Sequence, residues 1–166
     1  MNDGNAGNAN PQRDFTDDVD RLLITLWHSE LRAALGRLRT AATLDKSPIQ
    51  RINSYTGALI ESVYAAEPSR GASLAALVWL GQFTTSRDRS NRLTDELIQP
   101  LRDAIRDGCR SGTVSSQNPG ADAQAVFHLI LGLAAAQAAL GASAPREHLE
   151  RTVTASVRQA LGIAAQ

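Results

Sequence analysis

The chain has 166 residues, with 17 lysines and arginines balanced by 17 aspartates and glutamates, and a single cysteine. That balance gives no global attraction to nucleic acid or to an anionic membrane, and one cysteine excludes an internal disulfide. The length suits one domain with enough chain to bury a core.

Residues 1–10 are rich in Asn and Gly and lack a basic-then-apolar pattern, so they do not read as a signal peptide. Residues 1–15 read as a disordered tail and 16–166 as one helical domain. A first helix is expected over residues 16–43, with Leu23, Trp27, Leu31, Leu35, Leu38 and Ala42 on one stripe. The second has a clear start: Ser47 as N-cap, Pro48 at the first helical position and Gln50 closing a capping box. Its stripe is Ile49, Ile52, Thr56, Leu59 and Val63, and Pro68 stops it. A third helix is expected over 69–85, with Leu74, Leu77, Val78, Leu80 and Phe83. Arg87, Asp88 and Arg89 then read as a solvated corner.

The fourth helix is expected over 90–110, with Leu93, Leu97, Leu101, Ala104 and Ile105 inward and Arg92, Arg102, Arg106 and Arg110 outward. Pro100 should kink it or split it, and Gly112 should cap its end. Residues 115–120 read as a loop. The fifth helix, 122–140, is apolar almost all round. One line, Ala125, His128, Gly132, Ala135 and Ala139, is small; another, Val126, Ile130, Leu133 and Leu140, is bulky, with Phe127 and Leu131 between. A helix apolar on every side needs cover on two sides, which reads as half core and half subunit interface. Its alanine content and Gln124, His128, Gln137 and Ser143 argue against a membrane span. Pro145 opens the last helix, striped by Leu149, Val153, Val157 and Leu161 and ended by Gly162. No stretch alternates long enough for a strand. The fold class is all-α, with six helices.

Chemistry is sparse. His28, His128 and His148 stand at no metal-pair spacing from one another or from Cys109, and no nucleophile elbow, phosphate loop or paired carboxylates appear. Neither catalytic residue, metal nor cofactor is expected, and an enzyme is not. His128 reads either as an interface hydrogen-bonding residue or as a ligand or pH sensor. Arg106 and Arg110 would activate Cys109 if they converged on it; the bland alternative is an inert thiol.

The order of signals resembles the C-terminal ligand-binding and dimerisation domain of TetR-type transcriptional regulators, over residues 19–162. The resemblance rests on the helix opening at Ser47-Pro48 and closing before Pro68. It continues in the run Leu97-Ile98-Gln99-Pro100-Leu101-Arg102-Asp103-Ala104-Ile105-Arg106-Asp107-Gly108. Then come Arg110-Ser111-Gly112-Thr113-Val114, similar to the end of that family's seventh helix, a helix opened by Ala121-Asp122, and a last helix ending Leu161-Gly162. The family's N-terminal helix-turn-helix, which reads the DNA major groove, has no counterpart before Val19. The resemblance implies a homodimer whose last two helices form a four-helix bundle, using Ala125, His128, Gly132, Ala135 and Ala139 with Val153 and Val157. It also implies a pocket for a small apolar effector, walled by Trp27, Tyr55, Trp79, Phe83 and Phe127 with Thr56 and Gln82 as polar handles. Direct DNA binding by this chain is not expected, nor is membrane association, and the cytoplasm is the default location. The alternative is a helical interaction protein that heterodimerises with an intact regulator.

Overall fold

Ser47 starts a helix by a reciprocal pair of hydrogen bonds: its N–H donates to Gln50 Oε1 at 3.0 Å, and its Oγ accepts from the Gln50 N–H at 3.3 Å. This is the capping box read from the sequence. The computed structural model describes residues 29, 32–43, 46–63, 87–140 and 146–163. Within them the chain forms five helices and no strand: α1 (32–41), α2 (Pro48–Val63), α3 (Arg87–Arg110), α4 (Pro119–Leu140) and α5 (Arg146–Ala160). The expected tail over 1–15, the helix over 69–85 and the first half of the 16–43 helix lie outside the described residues.

Each helix turns one apolar stripe inward. α1 buries Ala34, Leu35 and Leu38; α2 buries Ile52, Tyr55, Leu59 and Ile60; α3 buries Leu97, Ile98, Leu101, Ala104 and Ile105. α4 adds Ala123, Val126, Phe127, Ile130, Leu131 and Ala134, and α5 adds Leu149, Val153 and Val157, all in one cluster. α2 packs on α3 and touches α4 and α5, while α4 lies between α3 and α5. Polar ties hold the edges. Arg37 Nε donates to Ser62 Oγ at 3.2 Å and Lys46 Nζ to Ser54 Oγ at 3.3 Å, fastening α1 and its exit to α2. Arg51, only 5 % exposed, donates to Asp107 Oδ2 on α3 at 2.6 Å, so the charge that α2 buries arrives already paired.

Two expectations for α3 are corrected. Arg87, Asp88 and Arg89 form its first turn rather than a corner. Pro100 does not split it: the helix continues for 24 residues. The proline ring removes one donor and crowds the carbonyl four residues back, which belongs to Glu96, exposed where water can serve it. Buried Leu97, Ile98, Leu101 and Ile105 flank the proline and hold both halves in line. Tyr55 donates its hydroxyl to the Leu97 carbonyl at 2.8 Å, pinning α2 to this same turn.

α3 and α5 end alike. Gly112 has φ of 70° and Gly162 of 59°, left-handed angles that glycine adopts without a Cβ penalty. The Thr113 N–H reaches the Gly108 carbonyl at 2.9 Å and the Gly112 N–H the Cys109 carbonyl at 3.2 Å; Ile163 to Arg158 at 2.9 Å and Gly162 to Gln159 at 3.3 Å repeat the pattern. Both are Schellman caps. They also meet each other, since the Ser115 N–H donates to the Leu161 carbonyl at 2.8 Å. A Cβ on Gly162 would stand 2.9 Å from Ser115 Cβ, and one on Gly108 would overlap the Val114 side chain.

α4 begins at Pro119, ahead of the expected start at 122. Asn118 is the N-cap: its Oδ1 accepts the Ala121 N–H at 3.1 Å. An asparagine cap followed by proline at the first helical position was the legible signal, and Asp122, bonded instead to Ser116 Oγ, sits inside the first turn. No described helix is long and apolar enough to cross a membrane.

Candidate interaction surface

With one face of α4 committed to the core, its opposite face carries Ala121, Gln124, Ala125, His128, Leu129, Gly132 and Ala136, all exposed. The sequence between Asp122 and Arg146 holds no Asp, Glu, Lys or Arg, so this face is uncharged along its length. Leu129, 37 % exposed, is the one exposed large apolar side chain among the described residues. Nothing lies within 4 Å of the place a Cβ would take on Gly132, which leaves an open notch one turn from the exposed His128 ring. That ring meets Phe127 edge-on, with centroids 5.7 Å apart and planes at 77°. Small residues on an uncharged helix face let another backbone come close.

Of the expected interface residues, Ala125, His128 and Gly132 lie on this outward face, Ala135 is half-buried, and the side chain of Ala139 is outside the described set. Val153 and Val157 are corrected: they are 0 % and 3 % exposed, inside the protomer's own core. They belong to the only apolar stripe of α5, so burying that stripe intramolecularly leaves nothing of it for a partner. The outward side of α5 is instead Glu147, Arg151, Thr154, Ala155 and Arg158, a charged face with Glu150 at its edge. Reading the helix for apolar residues alone missed this face; its charge order was the signal.

The expected effector pocket is placed only in part. Trp27, Trp79, Gln82 and Phe83 lie outside the described residues. Tyr55 and Phe127 are 0 % exposed and share one packed cluster. The Tyr55 hydroxyl is spent on the Leu97 carbonyl, and burial pushes its pKa above the ordinary phenol range. The Thr56 hydroxyl donates to the Asn53 carbonyl at 3.0 Å. The hydroxyls of Tyr55, expected as a wall, and of Thr56, expected as a polar handle, therefore serve the fold.

Arg106 and Arg110 do not converge on Cys109. They pair with Asp103 and Asp107, each at 3.1 Å, while the half-buried Cys109 Sγ donates to the Ser116 carbonyl at 3.6 Å. Among the described residues no three His, Cys, Asp or Glu side chains gather as a metal cluster would require. Among the described residues, α4 presents one uncharged outward face and α5 one charged outward face. No protein-family model, curated protein or solved structure matches this chain.

Proposed function

We propose that the chain is a homodimerising regulatory domain of the TetR type, paired through its last two helices, and that these residues do not themselves bind DNA. The observation that carries this reading is the outward face of α4, where Ala125, His128, Leu129 and Gly132 stand exposed on a helix with no charge between Asp122 and Arg146. An all-round apolar helix at a surface implies cover, and α5 beside it completes two helices of a four-helix bundle. A small apolar effector, held by the group that includes Trp27, Trp79, Gln82 and Phe83, would bias the geometry of the pair by differential binding.

Sedimentation equilibrium on the purified chain, followed by a thermal-shift series with apolar compounds on the same sample, tests both halves. The reading expects a dimer, and a compound at a hundred times its Kd that stabilises the fold by about 2.7 kcal/mol. A monomer at tens of micromolar would overturn the dimer. Tight, salt-sensitive and sequence-selective binding to duplex DNA would overturn the absence of DNA binding.

A further inference from the structure

His128 is the one titratable side chain on the outward face of α4, exposed between Ala125, three residues before it, and Gly132, four residues after it. Residues at those spacings are neighbours on one side of a helix, so a helix laid close against Ala125 and Gly132 must pass over the ring. The ring meets Phe127 edge-on and makes no hydrogen bond or ion pair with any described residue. Its own helix offers no countercharge beyond Asp122, which is bonded to Ser116 Oγ. On the elements packed against α4, the described carboxylates Glu61, Asp95, Glu96, Asp103, Asp107 and Glu150 pair with arginines. Glu147 and His148 stand exposed on α5, and the other charges there are arginines, which do not titrate.

Histidine is the side chain whose charge changes between about pH 5 and 8. In the separate protomer the ring is exposed, so water can solvate its charged form. A second copy of the same face brings Gln124, Ala125, Leu129 and Gly132 but no carboxylate, and covering a cation without a countercharge disfavours it. We propose that His128 makes the pairing of two copies pH-dependent, the neutral ring lying within the interface and the protonated ring driving the copies apart. The inference rests on the homodimer reading and names the group that regulates it.

The test is sedimentation equilibrium on the full chain at about pH 8 and about pH 5.5, at one ionic strength, with circular dichroism to follow the fold. Wild type is compared with His128→Gln and His128→Ala. Each dissociation frees two rings to take up protons, so the wild-type dimer Kd should rise at least about tenfold at the lower pH. Both variants should stay folded and hold Kd within about twofold over the same range, because the titrating group is gone. A wild-type Kd that stays level or falls on acidification overturns the switch. So does a rise that either variant retains, since another group would then carry it. Loss of the dimer by both variants at the higher pH makes the ring a packing contact, which overturns the switch and leaves the homodimer standing. A wild-type chain that is monomeric at both pH values overturns the homodimer and the switch with it.

Discussion

α4 and α5 lie side by side and spend their side chains differently. Each buries one stripe in the common core, Val126, Phe127, Ile130 and Ala134 on α4 and Leu149, Val153 and Val157 on α5. Beyond that stripe α5 is charged, whereas α4 is uncharged, with Gln124, Ala125, His128, Leu129, Gly132 and Ala136 exposed. The difference shows that apolar periodicity alone does not name an interface. A stripe that the protomer's own core consumes has no area left to give, and the face that remains is what a partner meets. On α4 that remainder calls for close backbone approach; on α5 it can select by charge.

The comparison breaks most violently in the core. Phe127→Ala should cost about 3–5 kcal/mol in urea unfolding, because the ring is fully enclosed and its loss leaves a cavity. Leu129→Ala, two positions on but facing outward, should change monomer stability by less than about 1 kcal/mol while weakening association. Equal costs at the two positions would erase the distinction between the faces of α4.

Tyr55→Phe comes next. It removes the second hydrogen bond of the Leu97 carbonyl, which keeps its helical one, and should cost about 0.5–1.5 kcal/mol. The same hydroxyl gives the fold an alkaline limit. Burial raises its pKa in the folded state, so above an unfolded-state value of about 10 the unfolded chain loses a proton that the folded chain keeps. The contribution is fully present below that pH and is lost as pH rises, at up to about 1.4 kcal/mol per unit. Chemical denaturation between pH 9 and 11 should show a decline that Tyr55→Phe abolishes.

The two Schellman ends sharpen the picture at the helix termini. Gly112→Ala adds a side chain in open space and should cost about 1–2 kcal/mol for its left-handed angle alone. Gly162→Ala adds a contact with Ser115 to the same penalty, and should cost more. Equal melting temperatures for the two variants would mean that the junction of Ser115 with the end of α5 is loose. Ser47→Ala is the mildest, at about 1 kcal/mol for the lost cap.

These ends and caps were legible in the sequence because each is chemically local. Ser47, Pro48 and Gln50 specify a helix start, and Gly112 and Gly162 specify helix ends, whatever surrounds them. The inward stripes of α1 to α5 were legible for the same reason of period. What was not legible depended on the rest of the molecule. Pro100 reads as a break until Leu97, Ile98 and Leu101 are seen packed on both sides of it. Val153 and Val157 read as free to join a partner until α2 and α4 are seen to cover them. The resemblance implies Tyr55 as a pocket wall and Thr56 as a polar handle, and sequence does not show the backbone carbonyl that each hydroxyl binds. Asn118-Pro119 carries the start of α4 in the sequence, as cap and first helical residue, and Asp122 lies within its first turn.

The central claim is that the outward face of α4 is covered by another copy of the chain. Its most direct test is the sedimentation of Gly132→Arg beside wild type, with circular dichroism on the same samples. Gly132 has nothing within 4 Å of a Cβ in the protomer, so an arginine there should leave the helical fold intact. A dimeric wild type with a folded, monomeric Gly132→Arg is the predicted result. A dimer unchanged by the substitution would show that the chain pairs elsewhere, and would contradict the account.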